Sequence, residues 1–113
     1  PEGTWAESVL SGGSLAAPEL LLAESANVLR RLERQQNIST LEANTAYRDL
    51  LRLDLELFHY EPFAGRVWEL RQNVTSYDAW YVALAEALGA PLATLDGRLS
   101  RASGATCDFI SAY

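Results

Sequence analysis

Apolar positions along the chain alternate between two spacings: short runs or two-residue alternation, and the three-to-four-residue spacing of a helix face. Trp5–Leu10 reads as a short helix closed by Ser11-Gly12-Gly13, and Ser14–Pro18 as a short strand. From Glu19 to about Gln35 a helix is predicted, with Leu21, Ser25, Val28, Leu29 and Leu32 at helical intervals. Ser39-x-x-Glu42 is a capping box, and the helix it opens carries Leu41, Ala43, Ala46, Leu50 and Leu53. Leu55–Glu61 alternates as a strand does. Pro62 suits the first turn of a helix that runs to about Arg71. Ser76–Leu88 is a strong helix, stopped by Gly89 and Pro91. Pro91–Leu95 reads as a short buried strand, Leu99–Ala102 as a helical turn and Thr106–Ile110 as a last strand.

Strand and helix alternating through short connections imply an α/β fold of three layers, an open and mostly parallel sheet with helices on both faces. No repeat, low-complexity tract or linker interrupts the pattern, so residues 1–113 read as one domain.

Composition then removes several classes of function. At 49% hydrophobic and 21% charged the chain reads as globular, and no apolar run reaches the roughly 18–20 residues of a membrane span. No signal-peptide layout is visible. The single cysteine, Cys107, has no internal partner for a disulfide, which favours a reducing, cytoplasmic setting. There is no Cys/His cluster for zinc, and His59, set in an apolar run, reads as structural. The net charge of −6 argues against a broad nucleic-acid groove but not against a local basic edge. All nine basic residues are arginine, a side chain that suits phosphate and carboxylate forks.

The candidate chemistry lies in carboxylates. In an open parallel sheet, ligands bind beyond the carboxyl ends of the strands. A helix of about 12 residues leads roughly 18 Å away from Asp78. A strand of about five residues returns some 16 Å, so Asp96 comes back near the level of Asp78. Structural roles stand beside this reading: Thr75-x-x-Asp78 has the form of a capping box, and Asp96-Gly97 is a common turn pair. Glu24 sits on the side of its helix that carries Leu21 and Val28, and its i+3 and i+4 neighbours are Asn27 and Val28, so no arginine pairs with it locally. A carboxylate on an apolar-leaning face needs a partner, and a hard divalent cation is one.

Three segments carry a resemblance: APELLLAESANVLRR, VWELRQNVTSYDAWYVALAEALGAPLATLDGRL and the closing GATCDF. They resemble the PIN-domain ribonucleases, and within them the VapC-type toxins of type II toxin–antitoxin pairs. The resemblance implies a magnesium- or manganese-dependent endoribonuclease that cleaves RNA, transfer RNA or another structured RNA, by metal-activated water. It places Glu24, Asp78 and Asp96 as the metal-binding, catalytic carboxylates and Thr94 as support behind them. It gives Asn73 and Thr75 the task of holding the loop before Asp78. It also implies a cognate antitoxin protein and a homodimer, the antitoxin meeting the acidic edge with an arginine. The apolar helical surface around Val28, Leu32, Leu41 and Tyr47 is a candidate contact, although such stripes are more often core.

Two departures from the family pattern stand out. The family's first metal aspartate closes a central first strand in a V-V-D-A-like motif, which this chain does not contain. The expectation is therefore a PIN-like domain lacking its N-terminal strand in the sequence given, with Glu2 and Glu7 as poor substitutes. Trp80 stands where a small residue is expected, at a dimer contact or in the core. Arg98, beside Asp96, reads as solvated rather than substrate-bound. The alternative function is a catalytically incomplete PIN-like fragment or binding module acting through a protein partner. A response-regulator receiver is disfavoured, because the chain has no lysine.

Overall fold

The computed structural model describes residues 15–94 and 99–111. The expected helix at Trp5–Leu10, together with Glu2, Glu7, Asp96 and Arg98, lies outside the described residues. Four strands and four helices follow in the order β1 (Leu15–Pro18), α1 (Leu21–Arg34), α2 (Thr40–Arg52), β2 (Leu55–Phe58), α3 (Ala64–Glu69), α4 (Ser76–Leu88), β3 (Leu92–Thr94) and β4 (Phe109–Ser111). Single 3-10 turns occupy Glu61–Phe63 and Leu99–Arg101.

All strand pairing is parallel. Leu15 sits opposite Leu55 and Pro18 opposite Phe58 in one pair, and Leu92 opposite Phe109 in the other. Backbone bonds from the Glu19 N–H to the Phe58 carbonyl (2.9 Å) and from the Leu92 N–H to the Asp108 carbonyl (2.8 Å) extend the two ladders. Among the described residues the strands form two parallel pairs, and α4 packs against both β1 and β3. The helix–strand alternation and parallel pairing are those of an α/β fold.

The local chemistry explains the helix boundaries. Ser39 and Glu42 close both arms of their capping box, at 3.0 and 2.9 Å. Gly89 ends α4 in the left-handed conformation at φ +61°, as helix-terminating glycines do. Several elements are shorter than their patterns. The strand expected over Leu55–Glu61 stops at Phe58, because Tyr60 already has helical backbone angles and opens the 3-10 turn that contains Pro62. His59 is not in the core: its side chain is 80% exposed and lies 3.0 Å from a Glu19 carboxylate oxygen. The helix expected to reach Arg71 ends at Glu69, where Leu70 and Arg71 tighten onto the carbonyls of Val67 and Trp68. Nor is the strand after Pro91 buried. Ala93 is exposed and Leu92 half-buried, since among the described elements α4 covers one face of it.

Burial concentrates around α4. Its Ala79, Val82 and Ala83 are packed with Val67 and Leu70 of the α3 region and with Leu99. The small Ala79 and Ala83 let the helix approach its neighbours closely, and a nearly continuous buried run from Ala79 to Ala85 leaves exposure to the two ends. Trp80 fills the same core and stands edge-on to Tyr60, with ring centroids 5.2 Å apart. By contrast α1 buries no residue fully and α2 only Ala43. These two helices pack chiefly on each other.

One polar clamp holds the C-terminal half together. Arg66 of α3 forks onto Glu86 of α4, Nε to Oε1 at 2.8 Å and Nη2 to Oε2 at 3.1 Å. The same guanidinium donates to the Gly104 carbonyl. Thr106 donates to Glu86 Oε2 from both its backbone N–H (2.6 Å) and its hydroxyl (2.7 Å). The clamp therefore ties α3 and α4 to the loop that delivers β4. Arg66, and then the Thr106 bonds, outweigh partial burial and hold the Glu86 carboxyl at about 2, against an ordinary 4.5.

A carboxyl held low stabilises the fold above its unfolded value, and that contribution disappears as pH falls from 4.5 towards 2. Glu86→Gln is expected to lose about 2 kcal/mol near neutrality, since the fork becomes a half-satisfied site around a partly buried arginine. Urea titrations at neutral pH and near pH 2 check this: the gap between wild type and variant should narrow at the acid end. At Gly104, whose φ is +92°, a Cβ would stand 3.1 Å from Leu70 Cδ2 and 3.2 Å from Asn73 Nδ2, so those side chains would have to give by a few tenths of an ångström. Gly104→Ala should therefore destabilise more than Gly89→Ala, whose Cβ meets nothing within 4 Å and which carries only the roughly 1 kcal/mol cost of left-handed backbone. Equal melting temperatures for the two variants would contradict that.

Candidate active site

Asp78 is held at the start of α4. Thr75, in extended conformation, caps the helix, and its hydroxyl accepts the Asp78 N–H at 3.2 Å. Only this arm of the expected capping box forms, so the Asp78 carboxylate is not returned to the Thr75 backbone. The half-buried side chain sits instead at the positive end of the helix, where an anion is favoured. Glu24 occupies the first turn of α1 and is also half-buried.

Tyr81 connects the two helices. It lies one turn after Asp78 in α4, and its hydroxyl donates to Glu24 Oε1 at 2.7 Å. Burial, then the Glu24 hydrogen bond, and then the charges of Glu24 and Asp78 push the phenol well above its ordinary value. Both carboxylates thus bear on one phenol although they are separated by 54 positions of chain. Among the described residues, neither carboxylate is paired with an arginine.

The other residues selected from the sequence fall as follows. Thr94 closes β3 opposite Ser111 in register. Asp96 lies outside the described residues, and among the described residues no group of three or more His, Cys, Asp or Glu forms a metal cluster. Asn73 donates its backbone N–H to the Leu70 carbonyl and so helps fold the turn that leads to Thr75. Tyr81 itself was not selected from the sequence. Its signal was available: Asp78-x-x-Tyr81 puts a polar tip beside the aspartate on an otherwise apolar helix.

Beside this cluster runs a shallow groove of about 500 Å³, lined by Glu24, Ser25, Val28, Leu29, Ala46, Leu50 and Tyr81. One end of it is acidic and the rest apolar. Of the candidate contact residues Val28 lines this groove; Val28, Leu41 (75%) and Tyr47 are exposed and Leu32 is half-buried.

The PIN domain family profile matches residues 1–105. The chain is 36% identical over 102 residues to Ribonuclease VapC9 of Mycobacterium tuberculosis, covering 90% of this chain and 80% of that one. It is 44% identical over 93 residues to Ribonuclease VapC1 of the same organism, covering 81% and 70%. With Ribonuclease VapC12 it shares 36% over 104 residues, covering 92% and 81%. The chain belongs to the PIN-domain family, within its VapC ribonuclease branch.

Since Glu24 raises the Tyr81 phenol both by its hydrogen bond and by its charge, Glu24→Gln should bring the Tyr81 titration down while leaving the part due to burial. Spectrophotometric titration of the tyrosines against wild type reads this directly. An unmoved titration would show that the Glu24 charge does not act on the phenol in solution.

Proposed function

We propose that this chain is the endoribonuclease toxin of a toxin–antitoxin pair, cleaving RNA with magnesium or manganese at the edge formed by Glu24, Asp78 and Asp96. The single observation that carries the reading is the Tyr81–Glu24 hydrogen bond, which ties Glu24 of α1 to the helix whose first turn carries Asp78, with neither carboxylate paired to a cationic side chain among the described residues, in a PIN-domain chain. Structured RNA, transfer RNA foremost, is the proposed substrate, and the cytoplasm the proposed site of action.

The donor set fits a hard divalent ion: carboxylate oxygens on partly exposed side chains. Glu24 would bind through its remaining lone pairs, because Oε1 already accepts the Tyr81 hydrogen bond. Asp78 would bind from the helix N-terminus, with Asp96 as a third carboxylate and Thr94 behind it. The ion, when bound, supplies Lewis acidity at the attacked phosphate and a water of lowered pKa. The protein's own part is positional. Tyr81 stays protonated at neutral pH, so it acts as a fixed donor that orients Glu24 and not as a base. The Thr75 cap fixes the first turn of α4 and with it the direction of Asp78.

The groove between α1, α2 and Tyr81 is the surface we assign to the antitoxin, its acidic end suited to an arginine from that partner. The exposed apolar residues of the α1–α2 pair leave area for a homodimer contact as well.

Cleavage of labelled transfer RNA with magnesium or manganese tests the reading. Asp78→Asn or Glu24→Gln should reduce the rate by at least about a hundredfold, more than the loss of an outer-shell partner, and chelation should abolish it. Wild-type rates in both variants would sink it. A partner-binding protein that takes up no manganese in calorimetry would instead favour the non-catalytic module.

A further inference from the structure

Trp68 and Arg71 are not used by the site just described. Val67 and Leu70 face the core and Arg66 faces Glu86, which leaves Trp68 on the opposite side of α3 at 66% exposure. Arg71 covers this indole: its Cζ lies 4.4 Å from the ring centroid, and its Nη1 donates to the Trp68 carbonyl at 2.8 Å. The guanidinium is therefore held over the ring before any ligand arrives. Among the described residues no carboxylate pairs with it. In a chain of net charge −6 this is a local, uncancelled cation set on an aromatic surface.

From these observations we propose that Trp68 and Arg71 form a stacking platform for an unpaired base of the RNA substrate, a proposal that rests on the ribonuclease reading. Unpaired bases stack on aromatic rings and guanidinium planes, and the same cation attracts the adjoining phosphate. The platform and the acidic site share one short segment. The N–H groups of Asn73 and Val74 both turn back to the Leu70 carbonyl, and Thr75 then caps α4. Even with Arg71–Thr75 fully extended, Arg71 and Asp78 are at most about 20 Å apart. Tyr77, 62% exposed, stands between them in the chain immediately before Asp78. A few nucleotides of one strand can therefore touch both. Trp, Arg and Tyr also anchor protein interfaces. The attachment to the Asp78 turn and the preset cation favour RNA.

Fluorescence anisotropy with a short fluorescein-labelled single-stranded RNA, measured without divalent ions so that no cleavage occurs, tests the platform. Trp68→Ala should weaken binding about tenfold, Arg71→Ala by at least as much, and Trp68→Phe much less. Circular dichroism confirms the fold, which an exposed indole does not support. An oligonucleotide with abasic sites should bind wild type and Trp68→Ala equally weakly, which separates stacking from attraction to phosphate. Unchanged affinity in Trp68→Ala, or equal wild-type affinity for the abasic strand, overturns the proposal. So does a Trp68→Ala variant that loses self-association in sedimentation but keeps its RNA affinity, because the platform would then be a protein contact. If wild type cleaves RNA while the variants bind normally, the platform fails and the ribonuclease reading stands. A wild type that neither binds nor cleaves RNA removes both.

Discussion

The burial of α4 is the constraint on which the rest of the molecule depends. Ala79, Val82 and Ala83 are almost wholly removed from water, and the helix touches both strand pairs as well as α3. An apolar helix has no stable place at a surface, so the strands and α3 must close around it. Because the core-facing Ala79 and Ala83 are small, its neighbours pack closely against it and the position of the helix is tightly determined. Its first turn carries Asp78 and its second Tyr81. The packing that stabilises the domain therefore also sets where the candidate site begins.

The two ends of this helix treat charge in opposite ways. Near its C-terminus Glu86 is surrounded by donors from Arg66 and Thr106, and its charge serves the fold. At its N-terminus Asp78 has the helix dipole and the Thr75 cap, while Glu24 has a neutral phenol, and among the described residues no arginine is paired with either. Satisfied carboxylates resist perturbation; under-compensated ones are available to a cation from outside the chain. The division follows from which neighbours each end of the helix meets. It separates a structural acid from the candidate functional acids on a single element.

The α1–α2 pair follows another rule. Its apolar positions keep helical spacing, yet only Ala43 is fully buried, and the groove beside Glu24 stays open. Periodicity reports an amphipathic face but not what covers it. The stripe through Val28, Leu41 and Tyr47 could equally have been core. Its exposure, together with the acidic end of the groove, is what gives it a place in the proposed function. Trp80, read from the sequence as interface or core, proved to be core for the complementary reason: it lies on the helix that β1, β3 and α3 pack against.

Local chemistry was legible in the order of residues. The Ser39–Glu42 capping box, the Gly89 stop and the helix from Ser76 to Leu88 rest on interactions a few positions apart, which short-range spacing reveals. The family likeness drew on the same stretches, and it singled out Glu24 and Asp78 before any contact was known. Strand lengths were less legible, because a ladder ends where its partner or its cover ends: β2 gives way to a 3-10 turn at Glu61, and Ala93 is left exposed. His59 shows the same limit, since an apolar run in sequence does not say which side of the strand end faces water. The Tyr81–Glu24 hydrogen bond spans 57 positions and the Arg66–Glu86 fork 20, and no spacing rule reaches either. The sequence by itself determined which segments are helices and which carboxylates lack a local partner. Only the tertiary structure decided which side chains stand beside them, because that depends on how α4 is enclosed.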